Sequence, residues 1–154
     1  MTAGTHAHAH DPRNDEVLVY LNGELKRRPE AMVSIFDSGF LLGDGVWEGL
    51  RVYDGRVAFL DAHLTRLFEG AKAIDLDIGM SREELQRAVY QTLEANEMQS
   101  GVHIRLMVTR GMKTTPFQGT SANRGPATVV VAAEWKAPDP ALWTRGLCLF
   151  TVHV

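Results

Sequence analysis

The chain has 154 residues, 45% of them hydrophobic and 23% charged, enough for one modest core. Its formal net charge of -3 disfavours a non-specific nucleic-acid binder, which needs a clustered positive footprint. A lone cysteine, Cys148, excludes an intrachain disulfide, and no apolar run nears the roughly 20 residues of a membrane helix, so the sequence reads as soluble and cytoplasmic.

Residues 1–16 are polar and small, and are expected to form a disordered leader without the apolar core of a signal peptide. His6, His8 and His10 alternate there, but no cysteine or closely following ligand cluster completes a metal site, so no metal is expected. "VLVYLNGELKRR" predicts two short strands around Asn22-Gly23, a strong hairpin signal. "AMVSIFDSGFLLGDG" reads as a loop with a short extended piece. "VWEGLRVYDGRVAFL" predicts a strand, an Asp54-Gly55 turn and a returning strand. Alternation sets Val46, Glu48, Leu50 and Val52 on one face and Trp47, Gly49, Arg51 and Tyr53 on the other. The second face suits a binding wall better than a core.

Asp61 is expected to cap a helix whose buried stripe is Leu64, Leu67, Phe68, Ala71 and Ile74. Ser81 and Glu84 have capping-box spacing at the head of a second helix through Leu85, Val89 and Leu93. "GVHIRLMVTRG" and "ATVVVAAEW" predict strands, separated by a long loop of turn formers. The prolines of "KAPDPALW" mark a domain joint, and "RGLCLFTVHV" predicts one more strand, in which Cys148 would be a buried thiol. With no partner strand to follow, the chain is expected to stop inside a second domain.

Three features carry candidate chemistry. Arg66, at the edge of the helical stripe, would either pair with Glu69 or clamp a phosphate bidentately. Arg51 and Arg105 fall inside apolar strands, where an unpaired charge is too costly to bury. His103 and Arg105 share a face with Met107 and Thr109, which would suit a carboxylate or would simply be the solvent side of the sheet. Lys113 and its loop could close over a site or form a surface hairpin.

"VYLNGEL", "VSIFDSGFLLGDGVWEGLRVYDG", "HLTRL" and "VHIRLMVTRG", in this order and spacing, closely resemble the small N-terminal domain of fold-type IV pyridoxal-phosphate enzymes. These are the class IV aminotransferases: branched-chain, D-amino acid and (R)-amine transaminases, with aminodeoxychorismate lyase as a relative. The resemblance covers roughly Val17 to Val154. It implies an α+β fold, an antiparallel sheet with two helices packed on it, followed by the first strand of a larger domain. The boundaries it gives are a small domain over 17–137, a joint over 138–143 and the start of the larger domain over 144–154.

The resemblance further implies pyridoxal 5'-phosphate as cofactor, amino acid or amine and 2-oxo acid as substrates, and a homodimer. Arg66 matches the arginine that holds the cofactor phosphate. Trp47 falls where relatives have an aromatic pocket residue, and Gly49 and Arg51 match pocket positions of the branched-chain members. A Tyr-x-Arg strand motif appears here as His103-x-Arg105. The Arg-x-His pair of the D-amino acid members has no counterpart in "MKTTPFQG". The family's catalytic lysine would lie beyond Val154, since Lys26, Lys72, Lys113 and Lys136 do not match its position. The chain by itself is therefore expected to be inactive in transamination. A lyase of the same fold, or a non-catalytic domain binding an anion or a partner through the Trp47–Arg105 wall, are the alternative readings.

Overall fold

Chain order and pairing follow from a few local signals. Asn22 and Gly23 both take positive φ (51° and 97°), the twist that a two-residue hairpin requires, and join β1 (Leu18–Leu21) to β2 (Glu24–Arg27). The computed structural model describes residues 10–137, 140–146 and 150–152. Beyond β2 the chain runs through α1 (Ser38–Leu42), β3 (Gly45–Tyr53), β4 (Arg56–Val57), α2 (Leu60–Ala73), α3 (Arg82–Ala95), β5 (Val102–Thr109), β6 (Met112–Lys113), β7 (Asn123–Arg124), β8 (Thr128–Trp135) and α4 (Ala141–Arg145).

Six strands form one antiparallel sheet in the order β2-β1-β8-β5-β3-β4, and β6 and β7 make a separate hairpin. The helices α2 and α3 cover one face, α2 lying over β3 and α3 over β8 and β1. Strand alternation sends Leu50, Val52, Ile104, Leu106, Val108 and Val131 into this layer, where they meet Leu64, Leu67, Leu85 and Val89. The architecture is the α+β sheet-and-two-helix arrangement expected.

Glu48 belongs to the same covered face and is buried. Trp47, Gly49, Arg51, His103, Arg105 and Met107 lie on the opposite, uncovered face. Register pairs Gly49 with Arg105 and Arg51 with His103 across β3 and β5. Among the described residues, β3 has β5 on one side and no strand on the other from Gly45 to Leu50, because β4 pairs only with Val52 and Tyr53. Residues on the two faces of β3 are therefore close neighbours around one open sheet edge.

Several expectations need correction. Residues 12–16 of the expected leader form a 3-10 turn capped by Asp11; its Asn14 donates to Trp135 O at 3.0 Å and accepts from Trp135 N at 2.8 Å. Polarity there reflects pairing with a strand end, not disorder; His6 and His8 lie outside the described residues. The expected loop over 31–45 contains α1, because Asp37 caps it by accepting from Gly39 N at 2.8 Å and Gly43 closes it in the left-handed region at φ 68°. Asp61 is not the cap of α2: the helix begins at Leu60, after Phe59 turns the chain at φ 53°. Ile74 is 40% exposed, since it falls past the last helical turn rather than on the stripe.

The capping box of α3 is present as expected, with Ser81 N donating to Glu84 Oε2 and Glu84 N to Ser81 Oγ. At the other end, the strand expected over 144–154 is not found among the described residues. Thr144 and Arg145 belong to α4, which Pro140 precedes and Gly146 closes at φ 67°, and 150–152 have no sheet partner among the described residues. Cys148 lies outside the described residues. No described helix is long and apolar enough to cross a membrane.

Candidate active site

Arg66 projects from α2 toward β3, where it meets a carboxylate that the apolar run concealed. Glu48 Oε1 accepts from Arg66 Nε at 2.7 Å and Glu48 Oε2 from Arg66 Nη2 at 2.5 Å, a two-pronged match of fork and carboxylate. His63, three residues before Arg66 and on the same helix face, brings Nδ1 to 2.7 Å from Glu48 Oε2. The Arg66 bonds, and then His63, hold the Glu48 carboxyl below its ordinary value against the opposing effect of burial. The expected alternative pairing of Arg66 with Glu69 is not what the structure contains.

The two ends of this pair differ sharply in setting. Glu48 is 2% exposed and the Arg66 side chain 71% exposed. The donors of Arg66 that do not face Glu48 are thus free to meet an anion from solvent. Among the described residues no group of His, Cys, Asp and Glu forms a metal cluster.

Across the sheet edge stands the wall of aromatic and cationic side chains. The Arg105 guanidinium lies 4.0 Å from the centre of the Trp47 ring, a cation–π stack that leaves the indole 60% exposed. Next along, His103 is half-buried, and that burial, followed by the Arg51 charge, depresses its pKa; Glu134, 3.9 Å from Nδ1, acts the other way. Gly49 leaves its place to that ring: a Cβ there would be 3.4 Å from His103 Nε2 and 3.9 Å from Trp47 Cζ3. Arg51 Nη1 donates to the Lys136 carbonyl, which ties the wall to the end of β8.

Beside this wall a cleft of about 390 Å³ opens on the uncovered face, bordered by Val17, Val19, His103, Arg105, Ala132 and Lys136. Its lining mixes apolar side chains with the cations Arg28, Arg105 and Lys136, the amide of Asn14 and the carboxylate of Glu134. Lys113 stands apart, its buried ammonium donating to Asn123 Oδ1 at 2.7 Å and Gly119 O at 3.3 Å within the β6–β7 hairpin.

Five of the residues singled out in the sequence, Trp47, Gly49, Arg51, His103 and Arg105, are therefore gathered on the uncovered face. Arg66 lies on the covered face, reached around the edge of β3. Sequence reasoning missed Glu48 and His63 as parts of the site. The signal available was a carboxylate alternating with Val46, Leu50 and Val52, which required a cation from a neighbouring element.

The family model for amino-transferase class IV matches residues 45–152. The branched-chain-amino-acid aminotransferase-like protein 1 of Arabidopsis thaliana is 45% identical over 127 residues, covering 82% of this chain and 23% of that protein. The branched-chain aminotransferase of Thermoproteus uzoniensis, solved with norvaline, superposes with a TM-score of 0.66 at 32% identity over 77% of this chain and 40% of its own. An aminotransferase from Mycobacterium tuberculosis, solved in its PLP-bound form, gives 0.63 at 27% identity over 81% of this chain and 40% of its own. The chain thus spans less than half the length of these relatives.

Proposed function

We propose, for a chain that belongs to the class IV aminotransferase family, that it forms the small domain of a pyridoxal-phosphate transaminase acting on an amino acid or amine and a 2-oxo acid. The observation that carries the reading is Arg66, an exposed guanidinium held in one orientation by a buried carboxylate. An arginine so fixed, with donors still facing solvent, fits the phosphate of that cofactor. When bound, the cofactor supplies an electron sink that lets a proton leave the carbon bearing the amino group.

This chain's own residues bind and orient. Arg66 holds the phosphate at one side of the β3 edge. Arg105, stacked on Trp47, presents its guanidinium to a substrate carboxylate on the other side. His103 stays largely neutral near pH 7, so it serves as a hydrogen-bonding group beside Arg105 rather than a second fixed charge. Arg51 braces the wall through Lys136, and Gly49, which has no side chain, leaves space open between His103 and Trp47. The buried Lys113 is engaged within its own hairpin, Lys26 and Lys136 pair with Glu24 and Glu134, and none of the described lysines is assigned the covalent role. That group belongs to the remainder of the protein.

A homodimer agrees with the exposed apolar side chains of Met32, Ile35 and Phe40, and the lone cysteine agrees with a cytoplasmic setting. The test of function is amino transfer by the full-length protein. Product formation should require both an amino donor and a 2-oxo acid acceptor. Pyruvate release from an aminodeoxychorismate-like substrate without a 2-oxo acid would instead identify a lyase.

A further inference from the structure

Glu48 presents a physical problem: a buried carboxylate on the face of β3 that Val46, Leu50 and Val52 turn toward the hydrophobic core. Burying it makes sense if its partner needs to be fixed. An arginine that is 71% exposed would otherwise sample many rotamers, and ordering it on a ligand would weaken binding. Two parallel bonds, to Nε and Nη2, remove that freedom and set the plane of the guanidinium. His63 Nδ1, 2.7 Å from Oε2 and one turn before Arg66 on α2, fixes the carboxylate in its turn.

We infer that Glu48 and His63 are positioning residues for Arg66, holding its free edge in the orientation that receives the cofactor phosphate. The inference rests on the phosphate role proposed for Arg66. Its content is that orientation outweighs charge. A negative Glu48 beside Arg66 reduces the attraction of the site for a dianion, so an electrostatic view alone predicts that neutralising it would tighten phosphate binding. A positioning view predicts the reverse.

The two views separate in the apo form of the full-length protein, titrated with pyridoxal 5'-phosphate and, separately, with pyridoxal, which lacks the phosphate. Glu48→Gln should weaken pyridoxal 5'-phosphate by about tenfold, the scale of a lost charged hydrogen bond, with pyridoxal unchanged. His63→Leu should shift the same preference in the same direction by a smaller factor, and it provides the readout if Glu48→Gln fails to fold. Arg66→Ala is the control for the premise. If Arg66→Ala abolishes the preference for the phosphorylated compound while the Glu48 and His63 variants leave it unchanged or strengthen it, the positioning role is wrong. If Arg66→Ala leaves the preference intact, the phosphate role of Arg66 fails, and the inference falls with it.

Discussion

Gly49 offers a graded test of the substrate wall. A Cβ at this position would stand 3.4 Å from His103 Nε2 and 3.9 Å from Trp47 Cζ3, which is ordinary contact, and φ lies outside the left-handed region. Gly49→Ala should therefore fit without rearrangement. Restricting the unfolded chain should then stabilise the protein by about 0.5–1 kcal/mol. Gly49→Phe is different, since its ring must enter the space that His103 and Trp47 already occupy. It should displace the Trp47–Arg105 stack at the sheet surface and cause a loss of at least about tenfold in kcat/KM. Because the position is half-buried rather than in the core, the fold should survive. Thermal unfolding and steady-state kinetics of the full-length protein give both numbers. A Gly49→Ala variant destabilised by more than about 1 kcal/mol, or a Gly49→Phe variant with unchanged kinetics, would refute the geometry described for the wall.

Other outcomes follow from the same structure. Arg110 donates to Asp44 at 2.8 and 3.1 Å and to the carbonyls of Ile74 and Asp75 at 2.6 Å each, joining the ends of β5 and α2 to the entry of β3. Arg110→Ala should cost about 2–4 kcal/mol in a denaturant titration. Ser81→Ala removes one half of the capping box of α3 and should cost about 1 kcal/mol by the same assay. Glu48 titrates below its ordinary 4.5 when folded, so the unfolded chain takes up the proton first. Its stabilising contribution is complete above that ordinary value and should disappear as pH falls through the lower folded value. Glu48→Gln should flatten that part of the stability–pH curve.

The sheet was legible because its strands follow a period of two and its turns carry the residues the turns demand: Asn22-Gly23 and Asp54-Gly55 both take positive φ in their hairpins. The helices α2 and α3 were legible from Leu64, Leu67, Leu85 and Val89 at helical spacing. The helix α1 was not, since five residues are too few for periodicity to register and only its Asp37 and Gly43 caps betray it. Likewise, no local pattern could reveal that Asn14 pairs with Trp135, 121 residues away in the chain. The same limit applies to the candidate site. Alternation alone put Trp47, Gly49 and Arg51 on one face, and His103 with Arg105 on one face. The partner of Arg66 was hidden, because Glu48 and Arg66 belong to different elements and meet only when α2 packs on β3.

In the proposed division of labour, this chain supplies the phosphate-holding arginine and the substrate wall, while the covalent lysine comes from elsewhere in the same protein. Borohydride reduction of the full-length protein with bound pyridoxal 5'-phosphate, followed by peptide mapping, puts that division to the test. A single phosphopyridoxyl-lysine is expected, in a peptide beyond Val154. Specific label on Lys26, Lys72, Lys113 or Lys136 would contradict it.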